Sequence, residues 1–287
     1  MRFVKGHGTE NDFVILPDPD GALRLTPELV AALCDRRAGI GADGVLRVVR
    51  AKVSGDPAGE SQAGAAEWFM DYRNADGSLA EMCGNGIRVY ARYLVEMGLA
   101  EPGEWPVATR AGLKTVTLGS AGAVSVDMGP PEIQGREAAV VAGRRYPGLR
   151  VSMGNPHLAC MITDGPVSAL DLSGEPEFAA SVFPQGVNVE FFQPVGEHHI
   201  TMRVHERGSG ETRSCGTGTV AASVAAAIET YGEAAGDGPP APGEWTVDVP
   251  GGTVTVTFDG VTSHLRGPAV LVAAGEVRAD WLAAAVT

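Results

Sequence analysis

Lysine is nearly missing from this sequence. Its 287 residues hold only Lys5, Lys52 and Lys114, none of them in a recognisable cofactor motif. Pyridoxal phosphate is held in its enzymes as a lysine Schiff base, so that chemistry has no visible seat here, and no phosphate or metal motif takes its place. Positive charge is short as a whole: 22 Lys and Arg stand against 35 Asp and Glu, for a net charge of −13. With no basic cluster to offset it, such a chain repels polyanions, which argues against nucleic acid as a partner. Apolar runs are short too. The richest, 220–228, is interrupted by Ser223. It falls well below the ~18 residues of a membrane span and suits half of a buried helix. The opening Met1-Arg2-Phe3-Val4-Lys5-Gly6 has neither the apolar stretch nor the small-residue cleavage site of a signal peptide. Cys34, Cys83, Cys160 and Cys215 lie far apart with no CxxC pair, and no His stands at metal-ligand spacing. Reduced thiols, a cytoplasmic location and no bound metal are expected.

What remains has an ordinary globular composition, 44% hydrophobic and 20% charged, in a chain long enough for two domains. Short β-like runs dominate, at 13–16, 45–49, 114–118, 124–127, 187–192, 200–205 and 253–258. The last alternates strictly between threonine and apolar residues, the mark of a strand with one buried face. Helical patterns are fewer, at 27–37, 85–97 and 217–231, the first with Thr26 as N-cap and Pro27 at the first helical position. Two stretches rich in Gly, Pro, Ala and acids, 54–65 and 234–243, read as loops. Gly39-x-Gly41-x-x-Gly44 imitates a dinucleotide fingerprint, but it follows a helix and precedes a strand, the wrong order.

The chain also repeats itself. Cys83-Gly84-Asn85-Gly86 and Cys215-Gly216-Thr217-Gly218 each open a helix, and a polar residue, Asn74 or Glu206, lies nine positions before each cysteine. Each half then closes with a glycine-led hairpin ending in Gly-Pro, 112–130 and 252–268. A period this long is no solenoid. It implies two copies of one α+β domain, with equivalent motifs facing each other across a cleft.

A thiol at a helix start stands where unpaired backbone N–H groups and the helix dipole favour an anion. Gly84, Gly86, Gly216 and Gly218 would let the backbone approach a ligand. A carboxylate held by two such helix ends would carry a thiol on each side of its neighbouring carbon. Inverting an amino-acid α-carbon needs that arrangement: a base on one face, an acid on the other, and electrostatic support for the carbanion. Thiolate and thiol exchange these roles, so one site serves both directions.

At the level of motifs the chain resembles the diaminopimelate epimerase family over nearly its whole length. The matching segments are His7-Gly8-Thr9-Glu10-Asn11-Asp12-Phe13, Gly39 to Gly44, Asn74-Ala75-Asp76-Gly77-Ser78, Cys83 to Gly86, Gly154-Asn155-Pro156-His157, Gly186-Val187-Asn188, Glu206-Arg207-Gly208 and Cys215 to Gly218. The resemblance implies an α+β fold of two pseudo-symmetric domains, 1–127 with 268–287 and 128–267. Each would be a mostly antiparallel, barrel-like sheet around a central helix, with the active site in the interdomain cleft. It implies a cofactor-independent enzyme interconverting LL- and meso-diaminopimelate in lysine and peptidoglycan precursor synthesis. Cys83 and Cys215 would be base and acid. The backbone N–H groups of Gly84, Asn85, Gly216 and Thr217 would hold the reacting carboxylate, and Asn11 and Glu206 the reacting ammonium. Asn74, Asn155, Asn188 and Arg207 would read the distant L-centre, Arg207 through its bidentate fork. His157 and Glu206 would tune the thiols. The substrate would be a small amino acid, and a homodimer is compatible with this reading.

Two positions depart from the family pattern: Thr9-Glu10 replaces a usual Leu-Gly, and Gly44 stands where some members carry a polar side chain. Other readings compete. Cys34 and Cys160 read as buried hydrophobes, and His198, His199 and His205 as structural. Asn74 and Asn85 could equally be turn formers. A proline, hydroxyproline or other amino-acid racemase of the same superfamily is the nearest rival function. A fold-related isomerase or dehydratase would lack at least one of the cysteines, and a non-catalytic amino-acid-binding protein would leave both without purpose.

Overall fold

The computed structural model describes residues 1–119, 122–232 and 240–285. They form two compact units, Met1–Val126 with Pro268–Thr287, and Asp127–Gly267. Among the described residues the helices are α1 (Pro27–Cys34), α2 (Pro57–Gln62), α3 (Gly84–Glu96), α4 (Gly216–Tyr231) and α5 (Ala279–Ala285).

In the first unit, strand Arg2–Gly8 pairs antiparallel with both Asn11–Pro17 and Val270–Glu276. The order continues through Gly44–Arg50 (parallel), Trp68–Asn74 (antiparallel), Gly103–Thr109 (parallel), Gly112–Leu118 and Val124–Gly129 (both antiparallel). The second unit repeats the scheme. From Arg144–Ser152 it runs through Pro156–Met161 (antiparallel), Asn188–Gly196 (parallel), His199–Glu206 (antiparallel), Gly243–Val249 (parallel), Gly252–Phe258 and Ser263–Gly267 (both antiparallel). Among the described residues the outer strands of a unit do not pair with each other, so each barrel-like sheet stays open along one side. It nonetheless wraps its helix: α3 touches six strands of its unit, and α4 touches seven of its own.

Both central helices are buried almost all round, which sequence alone shows in different ways. α3 buries Ile87, Val89, Tyr90, Ala91, Tyr93 and Leu94, and the Tyr90 hydroxyl donates to the Phe69 carbonyl at 2.9 Å. α4 is built of small residues, and Ser223 breaks no rule inside it because its hydroxyl donates back to the Thr219 carbonyl at 2.9 Å.

Two local expectations need correction. α1 starts as read, with Thr26 Oγ1 accepting from the Leu29 N–H, but stops at Cys34 instead of 37. The Asp35 carboxylate takes the N–H groups of Arg37 and Ala38 at 2.7 and 2.6 Å and turns the chain. The stretch 54–65 contains α2 rather than only loop, capped by Asp56, whose carboxylate accepts from Ala58 N–H, with Pro57 at its first position. Of the expected loop 234–243, residues 234–239 lie outside the described residues, and Gly243 begins a strand.

Candidate active site

Cys83 is the N-cap of α3, and its sulfur accepts the Gly86 N–H at 3.3 Å. The same sulfur lies 3.5 Å from Asn11 Oδ1, to which the thiol can donate. Asn11 reaches this point from the far end of a two-residue turn. Thr9 and Glu10 both have left-handed backbones, φ 50° and 62°, as the tight hairpin between Gly8 and Asn11 requires. That geometry explains why glycine is usual at position 10, and Glu10 occupies it at some conformational cost. Gly44 is settled in the same way: a Cβ there would meet the Arg73 carbonyl oxygen at 2.5 Å, so this chain has no room for a side chain at that position.

A polar chain runs behind the sulfur. Arg88, fully buried on α3, donates from Nη2 to Asn85 Oδ1 and Thr9 Oγ1, both at 3.0 Å. Asn85 Nδ2 donates to Asn11 Oδ1 at 3.2 Å, and Asn11 Nδ2 to Asp43 Oδ2 at 2.7 Å. Asp43 and Asp12 share Arg36, and Asp12 also pairs with Lys5. Burial pushes Asp12 up, but the hydrogen bonds from Arg36 and Lys5 outweigh it and hold the carboxyl at about 2. A folded-state value below the unfolded one means stability that is present above about pH 4 and lost as pH falls toward 2. Urea midpoints of Asp12→Asn and the parent should therefore differ above pH 4 and converge near pH 2; a gap that persists at pH 2 would contradict the pairing.

Cys215 caps α4 in the same extended conformation and is buried. Burial first, then the charges of Glu206 and Glu190, push its thiol well above the ordinary range, against the Gly218 N–H and Thr217. It therefore rests protonated, in the proton-donating form. Thr217 Oγ1 lies 3.6 Å from the sulfur and accepts from Asn155 Nδ2 at 3.4 Å. Asn155 Oδ1 lies 3.1 Å from His157 Nε2, and His157 Nδ1 lies 2.7 Å from Glu190 Oε1. Glu190 is completely buried, desolvation raises its carboxyl, and its second oxygen has no partner.

In both helices the first intrahelical bond comes from the residue after the Gly-x-Gly, Ile87 or Thr219, back to the cysteine carbonyl at 2.9 Å. The N–H groups of Gly84, Asn85, Gly216 and Thr217 thus lie ahead of the helical ladder, where an anion can be received. The outer glycines have another reason. A Cβ on Gly86 would press on Phe13 and Leu46, and one on Gly218 would meet Glu190 Oε1 at 2.5 Å. They admit these neighbouring side chains close against the helix starts.

Strand register makes this comparison quantitative. Phe13 stands opposite Gly44 across one parallel pair, and His157 opposite Asn188 across its counterpart. Two residues further along, Leu46 and Glu190 occupy matching places beneath Gly86 and Gly218. The first unit fills this place with an apolar pair and the second with a buried histidine and carboxylate.

Asn188 Oδ1 accepts the Arg207 N–H at 2.9 Å, and the exposed Arg207 fork donates to the Gln185 carbonyl at 3.2 Å. Glu206 accepts the Thr212 hydroxyl. In the second unit, then, Asn155, His157, Asn188, Glu206, Arg207, Thr217 and Cys215 form one neighbourhood. Asn74 behaves differently. It ends a strand, and its amide donates to Ser78 Oγ at 3.0 Å within its own turn. Sequence reading missed Arg88, Asp43 and Glu190.

Solved structures share this architecture. A hydroxyproline epimerase from Agrobacterium vitis matches with a TM-score of 0.64 at 15% identity, over 100% of this chain and 98% of its own. A phenazine biosynthesis protein of the PhzF family from Bacillus anthracis gives 0.65 at 18% identity, over 97% and 99%. The fold is the one these two proteins share. Sequence comparison goes further. The family model described as diaminopimelate epimerase matches residues 3–134 and 149–278. The diaminopimelate epimerase of Thermobifida fusca is 57% identical over 284 residues, covering 98% of this chain and 100% of that one. That of Streptomyces coelicolor is 53% identical over 286 residues, covering 98% and 97%. The chain belongs to the diaminopimelate epimerase family.

Proposed function

We propose that this protein is an isomerase that interconverts LL- and meso-diaminopimelate, the reaction named for its relatives, and that Cys83 and Cys215 carry it. The observation that supports this most is the matched pair of cysteine-capped helix starts, each backed by its own buried polar chain. In one direction a Cys83 thiolate takes the α-proton and Cys215 returns one to the opposite face; in the other the roles exchange. Between the two steps the electron pair left by the C–H bond spreads into the substrate carboxylate. The helix-start N–H groups of Gly84, Asn85, Gly216 and Thr217 hold that carboxylate as its charge grows. Asn11 and Glu206 receive the reacting ammonium, while Asn74, Asn155, Asn188 and Arg207 bind the unreacting end. This route needs no cofactor. Among the described residues no helix is long and apolar enough to cross a membrane. A cytoplasmic setting and independence from nucleic acid complete the reading, and a homodimer is its assembly.

The test is a substrate panel: LL- and meso-diaminopimelate, proline, trans-4-hydroxyproline, histidine and glutamate, each followed for epimerisation. Only the diaminopimelates should turn over, and at the same rate after exhaustive EDTA treatment. Turnover of proline without diaminopimelate would overturn the substrate, and activity that returns only with added metal would overturn the mechanism.

A further inference from the structure

Cys83 has the extended backbone of a cap residue, φ −138° and ψ 120°, so its sulfur points where the entering chain sends it. From Gly84 onward α3 is held by its own buried residues. The entering chain is held differently. Strand Trp68–Asn74 ends in a tight turn, closed by the Asn74 N–H on the Ser78 carbonyl. The chain then doubles back, with Leu79 bridged to Arg73 and the Ala80 N–H donating to the Tyr72 carbonyl at 3.3 Å. Leu79 and Glu81 are both exposed. Arg110 grips this return from the two-residue turn between strands Gly103–Thr109 and Gly112–Leu118. Its Nη1 donates to the carbonyls of Tyr72 at 2.7 Å and Ala80 at 3.1 Å, while Nε donates to Asp56 at 2.9 Å and Nη2 to Asp71. Two carboxylates fix the guanidinium, and the guanidinium fixes a backbone carbonyl three residues before Cys83.

The second unit makes the same tie with other atoms. Its corresponding hairpin has the same two-residue turn, since Val249 pairs with Gly252 as Thr109 pairs with Gly112. That turn, Pro250-Gly251, holds Arg213, two residues before Cys215. The Gly251 N–H donates to the Arg213 carbonyl at 3.0 Å, and Arg213 Nη2 donates to the Pro250 carbonyl at 2.6 Å. In one unit the arginine reaches from the turn to the entering chain, in the other from the entering chain to the turn. The contact recurs although no residue in it does, so the tie itself is what the two units share.

We propose that the hairpin turn of each unit positions that unit's cysteine, through Arg110 for Cys83 and through Arg213 for Cys215. Each arginine acts through the backbone ahead of its cysteine. Arg110 suits the task because a planar fork serves two carbonyls and two carboxylates at once, which the single ammonium of a lysine does not. Misplacing a reacting group by about 1 Å costs on the order of a hundredfold in rate, so a tie three residues away governs the chemistry. This inference rests on the roles proposed for the two cysteines.

The experiment compares full-length Arg110→Lys and Arg213→Gln with the parent in two assays. The first follows loss of the α-hydrogen from LL- and from meso-diaminopimelate separately in deuterium oxide. The epimer served by Cys83 is the one whose exchange Cys83→Ala abolishes. Arg110→Lys should slow that epimer by about tenfold to a hundredfold and the other by far less. Arg213→Gln should shift the balance the opposite way, by a smaller factor because the Gly251 bond to the Arg213 carbonyl remains. A merely structural arginine would slow both epimers alike. The second assay needs no substrate: amide hydrogen exchange of peptides spanning residues 79–83, read by mass spectrometry. These should be protected in the parent and exchange about tenfold faster in Arg110→Lys, as the loss of one hydrogen bond implies, with peptides from 127–267 unchanged. Epimers slowed equally, or not at all, in either folded variant overturn the proposal. An unprotected 79–83 segment in the parent overturns it even if Arg110→Lys does not fold. Failure of the diaminopimelate reading would appear instead in the substrate panel and leave the amide-exchange result standing.

Discussion

Replacing either Cys83 or Cys215 with Ala should abolish inversion, to below about one thousandth of the parent rate, since a single general acid or base supplies up to about 10⁴-fold. The two variants should not be inert in every assay. Each keeps one thiol, so each should still exchange the α-hydrogen of one diaminopimelate epimer with solvent, the other epimer for the other variant. The parent enzyme makes a matching prediction in deuterium oxide. The group that takes the α-proton is not the one that returns a proton, and the returning thiol has equilibrated with solvent. Product from the first turnovers should carry deuterium at the inverted carbon while unreacted substrate keeps hydrogen, read by NMR or mass. Substantial hydrogen retention in early product, or near-normal inversion by either Ala variant, would end the two-thiol mechanism for this protein.

The second large effect is expected at the buried pair of the second unit. At the matching register the first unit carries Phe13 and Leu46, so the fold itself asks only for an apolar pair there. Glu190→Leu alone removes one partner of a buried hydrogen-bonded pair and leaves His157 Nδ1 unsatisfied, a loss of roughly 1–3 kcal/mol. Adding His157→Phe recreates the apolar pair of the other unit. The double variant should recover that stability, since replacing both partners of a buried hydrogen bond by apolar groups that fit can be neutral or stabilising. Urea unfolding measures both. Activity should follow the opposite course, falling by about a hundredfold or more in the double variant, because Asn155 and the Cys215 end of the chain lose their anchor. If the double variant is as unstable as the single one, the pair serves stability; if it remains active, His157 and Glu190 have no part in the reaction.

Why Glu190 escaped sequence reading is instructive. It lies in Val187-Asn188-Val189-Glu190-Phe191-Phe192, where a charged residue between apolar ones is normally the solvent face of a strand. Here both faces are covered, one by α4, so the alternation that marks an amphipathic strand marks a buried site instead. Strand Trp68–Asn74 was missed for a related reason: Asp71 and Arg73 look like surface charges, yet Asp71 is 2% exposed and tied to three arginines. Arg88 carries no mark in the sequence that separates it from an exposed helix arginine, and only three-dimensional packing shows that α3 is buried throughout its first two turns. The readable features were those governed by local geometry. Thr26 and Pro27 announced α1, and the two Cys-Gly-x-Gly segments announced helix starts, since cap residues act on their own next few N–H groups. Asn11 was legible only through the family motif, because its orientation depends on Asp43 and Arg88, which are distant in sequence.

The order of synthesis separates the two units. Asp127–Gly267 is one uninterrupted stretch, and all its strand pairs can form once residue 267 has left the ribosome. The other unit needs both ends of the chain: strand Arg2–Gly8 lies between Asn11–Pro17 and Val270–Glu276, the last strand made. Until that strand arrives, one edge of Arg2–Gly8 presents unpaired N–H and C=O groups, a template for pairing with other chains. A nascent protein of this design therefore carries its N-terminal strand open along one side until the strand Val270–Glu276 emerges, a natural client for a chaperone that shields strand edges.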